Sequence, residues 1–385
     1  MRILVLNCGS SSIKYSIFDR DLNRIARGSV ERISSKDACV LSYRSDEPES
    51  KEICNIPDHK TALEYILGHI EKGSITAVGH RVVHGGEKLR NSVPVTDAVK
   101  QEIKKCFQLA PLHNPHNLSG IEMIEKILPG AKNIAVFDTA FHSTIPRYSY
   151  LYALPYYLYR KYTIRRFGFH GISHRYVSMT AAGILGKEMT DINIITCHLG
   201  NGCSITAVKK GCVVDTSMGF TPLEGLIMGT RCGDIDPAIV PYLMASEGLT
   251  LSEINTLLTG QSGLYGISGI SNDMKTLIDE AAAGNERAQL AIDMFTYRVR
   301  KYIGAYYAVL GKVDAIVFTA GIGEKSPLIR SKSLDDLQGM GIILDRALNS
   351  TVSSGVISAG GSATKVMVIP TDEELIIARE VMPFL

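Results

Sequence analysis

The chain has 385 residues, of which 45% are hydrophobic and 21% charged, and its formal net charge is +2. That length predicts about two domains, each with its own core. The near-neutral balance gives no case for a nucleic-acid partner, because lysine and arginine are scattered, with dipeptides such as those at 104–105, 165–166 and 209–210 and no polybasic patch. Cysteines at 8, 39, 54, 106, 197, 203, 212 and 232 form no Cys-x-x-Cys pair and no zinc-like grid. They read as reduced thiols of a cytoplasmic protein. The apolar run 3–6 is too short for a signal peptide, and no window reaches the ~18 apolar residues of a membrane span.

The first predicted element is a hairpin. Ile3, Leu4, Val5 and Leu6 meet Asn7-Cys8-Gly9 and three serines, Ser10, Ser11 and Ser12, then alternate through Ile13, Tyr15 and Ile17. Two strands joined by a tight turn are expected, with Gly9 taking unusual backbone angles. Such a tip suits anionic oxygens: short side chains let main-chain N–H groups approach, and Lys14 adds a full charge. A plain serine-rich surface turn fits the same window. Alternation across 28–54 predicts more antiparallel strands, and Leu63, Ile66, Leu67 and Ile70 predict a helix over 61–69. A strand over 75–83 carries Arg81 near its end and runs into His84-Gly85-Gly86. Residues 96–108 read as helix, and Pro111, Asn114, Pro115 and Asn117 are expected to forbid another until about Leu118. His113 and His116 have the spacing of a metal pair but no third ligand nearby. A buried strand over 134–137 delivers Asp138, a carboxylate where α/β proteins place ligand contacts.

Residues 151–162, rich in Tyr and Pro, read as a connection between halves. His170 and His174 stand four apart, but Gly171 interrupts and no Glu follows His170, which excludes a zinc-protease motif. Then the chain repeats itself. A strand over 192–198, the turn Gly200-Asn201-Gly202, Ser204 and a second strand echo the opening hairpin, and 314–323 echoes 133–140. Two landmarks in the same order predict a duplicated domain with a cleft between the copies. Arg231 stands between Gly229 and Gly233 ahead of a helix, and Asp273 caps the next one. A long helix over 286–310 lines up Ala288, Ile292, Phe295, Val299, Tyr302, Tyr306 and Leu310 on one face. A last strand at 366–369 leads into a terminal helix.

No Gly-x4-Gly-Lys-Ser/Thr occurs, so a P-loop is excluded, and Gly321-Ile322-Gly323 lacks the third glycine of a dinucleotide fingerprint. No Gly-x-Ser-x-Gly elbow supports a hydrolase triad. Hairpin tips, isolated arginines and carboxylates at strand ends remain. They suit nucleotide phosphates, with Mg²⁺ held by carboxylates.

The motifs Asn7-x-Gly-Ser-Ser-Ser-Ile-Lys14, Gly79-His-Arg-Val-Val-His-Gly-Gly86, Phe137-Asp-Thr-Ala-Phe-His142, Gly168-Phe-His-Gly171, His198-Leu-Gly-Asn-Gly202, Gly229-Thr-Arg231, Phe318-Thr-Ala-Gly-Ile-Gly-Glu324 and Thr371-x-Glu-Glu374 resemble the acetokinase family. The resemblance is collinear over essentially the whole chain. It implies an α/β fold of duplicated actin-like ATPase (ribonuclease H-like) domains with a nucleotide cleft between them, and a homodimer. Residues 1–150 would form the N-terminal domain, with 373–385 packing back on it, and 151–372 the C-terminal domain carrying most of the nucleotide site. The implied activity is reversible transfer of the ATP γ-phosphoryl group to acetate, giving acetyl phosphate and ADP, with Mg²⁺, for which Mn²⁺ can substitute. A propionate kinase, and a non-kinase ATPase of the same superfamily, stay open as alternatives.

Position by position, the resemblance implies that Asn7, Ser10, Ser12 and Lys14 line the phosphate site. Arg81 and Arg231 would grip the carboxylate and the transferring phosphoryl group, a task for planar, permanent cations. His170 would stabilise the transition state, and His113 would matter structurally. Asn7, Asp138 and Glu373 would attend Mg²⁺. Asn201 and Gly202 would meet the ATP phosphates, Asp273, Met274, Lys275, Gly321 and Ile322 would frame the adenosine, and His198 and Gly323 would belong to the same nucleotide site. Val83, Leu112, Phe169 and Pro222 would form a small apolar pocket for the acid. Two departures, Lys275 for the usual Arg and Lys325 for the usual Asn, leave base preference open. The nucleophile is a carboxylate, ionised at pH 7 because such acids have pKa near ~4–5. It needs no general base, so direct in-line transfer without a phospho-enzyme is expected, favoured by domain closure.

Overall fold

The computed structural model describes residues 1–9, 11–33, 39–44, 50–54, 56–68, 72–111 and 113–385. Ser10 and Leu112, both expected site residues, and Ile70 lie outside them. The chain divides into two compact units, Met1–Ser143 with Asp372–Leu385, and Thr144–Thr371.

In the first unit β1 (Arg2–Cys8), β2 (Ser12–Phe18), β3 (Arg24–Glu31), β4 (Cys39–Arg44), β5 (Ser50–Cys54), β6 (Ile75–Val82), β7 (Val93–Pro94) and β8 (Lys132–Phe137) form one sheet, ordered β5-β4-β3-β2-β1-β6-β8-β7. The opening hairpin forms as expected, with Asn7 opposite Lys14. Its glycine acts differently. Gly9 is not among the positive-φ residues; its N–H donates to the Ser12 carbonyl at 2.8 Å, and a Cβ there would stand 3.2 Å from Ser12 Oγ. The position keeps the tip narrow and does not require special angles. One sheet face is buried by the helices His59–Gly68 and Asn114–Ile127, which close a core around Leu4, Leu6, Ile13, Leu63, Ile66, Leu67 and Ile124.

The helix Asn114–Ile127 starts four residues before the expected Leu118. Pro115 stands in its first turn, where a missing N–H costs nothing because those donors have no intrahelical partner. The early start matters, because it sets Asn114 and Asn117 one turn apart on the buried face.

In the second unit β9 (Asn193–Leu199), β10 (Cys203–Lys209), β11 (Cys212–Thr216), β12 (Ala315–Thr319), β13 (Gly355–Val356) and β14 (Lys365–Val368) are ordered β11-β10-β9-β12-β14-β13. Each unit therefore contains the same run: a three-strand antiparallel meander, then two parallel strands beside its first strand. The order matches β1 with β9, β2 with β10, β3 with β11, β6 with β12 and β8 with β14. The first sequence echo is thus a true correspondence. The second is not: 133–140 contains β8, whereas 314–323 contains β12, whose counterpart is β6. Short buried strands ending on small polar residues look alike wherever they sit in a sheet.

The segment 151–162, expected as a connection, belongs to the second unit and contains the helix Tyr156–Tyr162. The preceding 144–150, assigned by sequence to the first half, is tied there too, through Thr144 Oγ1 to the Val213 carbonyl (3.0 Å) and Arg166 N–H to the Tyr150 carbonyl (2.7 Å). The helix Glu286–Leu310 runs over the expected residues and buries Ala288, Ile292, Phe295, Val299, Tyr306 and Leu310; Tyr302 is only half-buried.

Candidate functional site

The first unit gathers a charged cluster at the ends of its central strands. Gly79 and Arg81 lie on one face of β6, two residues apart. A Cβ on Gly79 would stand 2.7 Å from Ile377 Cγ2 and 2.9 Å from Val381 Cγ2, so only glycine lets the helix Glu373–Val381 lie this close. That approach brings Glu373, the helix's first residue, to Arg81. Arg81 Nη2 donates to Asp138 Oδ2 at 3.0 Å, and its Nε stands 3.4 Å from Glu373 Oε2 without hydrogen-bond alignment. Asp138 is 1% exposed. Burial opposes the guanidinium charge, but Asp138, Glu373 and Glu374 outweigh it and raise the Arg81 pKa. Burial, helped by Asp138 and Glu374, pushes Glu373 up to about 7 against the pull of Arg81 and Lys14. The cluster is thus over-supplied with negative charge. Asn7 and Ser12, both half-buried, flank the hairpin tip, and Lys14 is exposed. Cys8 beside them is no nucleophile, since burial pushes its thiol up to about 12.

Two residues that sequence reading missed hold this corner. Asn117 Oδ1 accepts from the Val83 N–H (3.0 Å) while its Nδ2 donates to the Cys8 carbonyl (2.7 Å). Asn114 bonds both the N–H and the carbonyl of His84. The strand end carrying Arg81 and the hairpin tip are therefore set against each other by one helix turn. The signal was present as an Asn-x-x-Asn pair. His113 occupies the N-cap without a side-chain capping bond. Val83 is buried beside this clamp.

The second unit builds the second group on its own hairpin. His170 precedes the helix Gly171–Ile184 with φ of +57°, a left-handed conformation that costs a non-glycine residue energy and aims its ring. Its ring stacks on His198 at 4.1 Å between centroids. A Cβ on Gly202 would stand 3.4 Å from His170 Nε2 and 3.7 Å from Arg231 Nη1, so the bare glycine at the β9–β10 tip lies between these two side chains. Arg231 Nη1 donates to the Pro222 carbonyl at 2.9 Å, and burial lowers its pKa. Among the described residues it has no carboxylate partner. Gly229 is needed because a Cβ there would meet Asn201 Oδ1 at 2.0 Å, and its N–H holds the Asn201 carbonyl at 3.0 Å. Phe169 is buried next to His170.

A cavity of about 590 Å³ in this unit is lined by Asn201, Asp273, Met274, Lys275, Gly321, Ile322 and Lys325, among others. It thus collects most of the expected adenosine residues and both departing lysines. Asp273 caps the helix Met274–Ala282, accepting from the Thr276 N–H at 2.9 Å. Glu324 Oε1 accepts from the N–H groups of Ala320 and Thr371, pinning the turn that carries Gly321.

Among the described residues no group of three or more His, Cys, Asp or Glu side chains could hold a metal ion, and no helix is long and apolar enough to cross a membrane. The family model described as the Acetokinase family matches residues 2–379. An acetate kinase of Methanosarcina mazei is 51% identical, covering 99% of this chain and 96% of its own. The crystal structure of Porphyromonas gingivalis acetate kinase matches with a TM-score of 0.93 at 45% identity, over 99% of both chains. A propionate kinase structure from Francisella tularensis also gives 0.93, at 43% identity over 98% of both chains. The chain belongs to the acetokinase family.

Proposed function

We propose that the chain transfers the γ-phosphoryl group of ATP to acetate, reversibly and in one in-line step. The observation that carries this reading is Arg231: a half-buried cation with no carboxylate partner among the described residues, one glycine away from His170. Such a pair of donors suits the oxygens of a transferring phosphoryl group. Arg81 and Arg231 grip the acid and the phosphoryl group, and His170 steadies the charge that develops in transfer. Asn7, Ser10, Ser12, Lys14, His198, Asn201 and Gly202 hold phosphates. Asp273, Met274, Lys275, Gly321, Ile322 and Gly323 frame the nucleoside.

The residues of the first unit fit Mg²⁺. Burial first, then the neighbouring Asp138 and Glu374, raises Glu373 to about 7, and a bound cation would relieve this; Asp138 and Glu373 supply hard oxygen donors, with Asn7 beside them. Few protein ligands are what Mg²⁺ takes when substrate phosphates and waters complete its shell. When bound, it neutralises phosphate charge. Acetate needs no deprotonation at pH 7, so Asp138 has no general-base work.

Val83, Leu112, Phe169 and Pro222 are proposed to line the acyl pocket. Val83 in the first unit and Phe169 in the second are each buried, 6% and 2% exposed, and a valine at 83 rather than a smaller residue favours the shorter acid. One methylene is worth ~1–3 kcal/mol, so propionate should react more slowly. Propionate preference is the second reading, favoured by the likeness to the Francisella enzyme. We further propose a cytoplasmic homodimer. In its second unit Tyr148, Tyr157, Tyr242, Leu251 and Tyr297 are each more than half exposed, an apolar supply that an interface would use. Comparing kcat/KM for the two acids decides between the first two readings. A protein phosphorylated by labelled ATP that passes its phosphate to acetate would overturn the single in-line step.

A further inference from the structure

Three polar side chains of the second unit have no part in the reading above. Thr196 on β9, Ser204 on β10 and His174 on the helix Gly171–Ile184 are each fully buried. Thr196 Oγ1 lies 2.7 Å from His174 Nδ1, His174 Nε2 lies 2.7 Å from Ser204 Oγ, and Ser204 Oγ lies 2.9 Å from His170 Nδ1. The chain of contacts ends on the ring of the proposed transition-state donor.

The proton inventory fixes its direction. Each hydroxyl has one proton, and each neutral imidazole has one N–H and one acceptor nitrogen. Among the described residues Thr196 Oγ1 has only His174 as partner, so a buried Thr196 proton is satisfied only by donation to His174 Nδ1. His174 must then carry its proton on Nε2 and donate it to Ser204, and Ser204 must donate to His170 Nδ1. His170 is left with its proton on Nε2. The reverse order would strand the Thr196 proton in the core, which is costly.

We propose that Thr196, His174 and Ser204 form a relay of positioning residues that sets His170 as the Nε2–H tautomer, turning a hydrogen-bond donor toward Gly202 and Arg231. Protonation of His170 on Nδ1 would leave the Ser204 proton without an acceptor, so the relay also favours the neutral ring. The use made of this donor rests on the phosphoryl-transfer reading; the tautomer itself does not. The left-handed backbone at His170 and the stacking on His198 hold the ring in the plane the relay needs. His198 is fixed in the same manner, with Ser173 Oγ at 2.8 Å from its Nδ1 and Thr371 Oγ1 at 2.8 Å from Ser173 Oγ.

The test is nitrogen NMR on the full-length protein labelled with ¹⁵N-histidine, the His170 signal being assigned by its loss in His170→Asn. The wild-type ring should show a protonated Nε2 and an unprotonated Nδ1. Ser204→Ala and Thr196→Val, an isosteric change, should mix the tautomers and lower kcat by about 10², the size of one lost transition-state donor, with KM nearly unchanged. Thr196→Ser keeps the hydroxyl and should restore both the tautomer and most of kcat. A wild-type ring protonated on Nδ1 overturns the proposal even if no variant folds. So does an unchanged tautomer in folded Thr196→Val. The Nε2–H tautomer in a protein that fails to phosphorylate acetate would refute the activity and leave the relay standing.

Discussion

The two arginines that sequence motifs bring forward as a pair have opposite surroundings. Arg81 is bound to a buried carboxylate and a second one beside it; Arg231 is held by a backbone carbonyl. Their substitutions should separate accordingly. Arg81→Ala takes the paired cation away from Asp138, 1% exposed, and should cost about 3–5 kcal/mol of stability. Arg231→Ala leaves no charge unpaired and should change urea-unfolding stability by no more than about 1 kcal/mol while lowering kcat by about 10³ or more. Equal destabilisation by both would contradict the contrast in their surroundings. Motif reading placed both arginines, but the partners that distinguish them come from distant chain segments.

At the scale of elements, the close contact at Gly79 is what delivers Glu373. Gly79→Val should force the helix Glu373–Val381 outward, cost about 1–3 kcal/mol, and weaken Mg²⁺ binding measured by calorimetry. Unchanged Mg²⁺ affinity would show that the helix does not position its carboxylate. Asn117→Ala should cost about 1–3 kcal/mol by leaving the Val83 N–H and the Cys8 carbonyl unpaired. His80 gives a pH signature. Burial lowers its pKa to about 4, and its Nε2 bonds Asn133 Oδ1 at 2.8 Å, so the folded state keeps it neutral. Between about 4 and 6.5 the unfolded chain binds the extra proton; stability is therefore full above 6.5 and falls on acidification through that window, by roughly 3 kcal/mol. His80→Gln should flatten that part of the melting temperature against pH relative to wild type. Strands, the capped helices and the long helix 286–310 were legible because periodicity and caps are local. The start at Asn114 was not, since proline's tolerance in a first turn depends on where the helix begins.

At the scale of the molecule, the chain folds as two α/β units that repeat one strand order, and its internal symmetry was half legible. The hairpin echo survives because Asn/Gly tips bounded by apolar strands constrain several residues at once. The strand echo failed because apolar runs of four or five residues say nothing about sheet order. The relay through Thr196 and Ser204 left a faint trace, as hydroxyls at alternate positions of buried strands, but only folding shows that they meet His174. Light scattering at micromolar concentration should give twice the chain's 42.0 kDa; a monomeric mass would contradict the proposed dimer. The most direct measurement is acyl hydroxamate formation from ATP, Mg²⁺ and acetate by the full chain. Acid-dependent product, formed faster with acetate than with propionate and abolished in Arg231→Ala, is the result expected. ATP hydrolysis at a rate indifferent to acetate, with no hydroxamate, would contradict it.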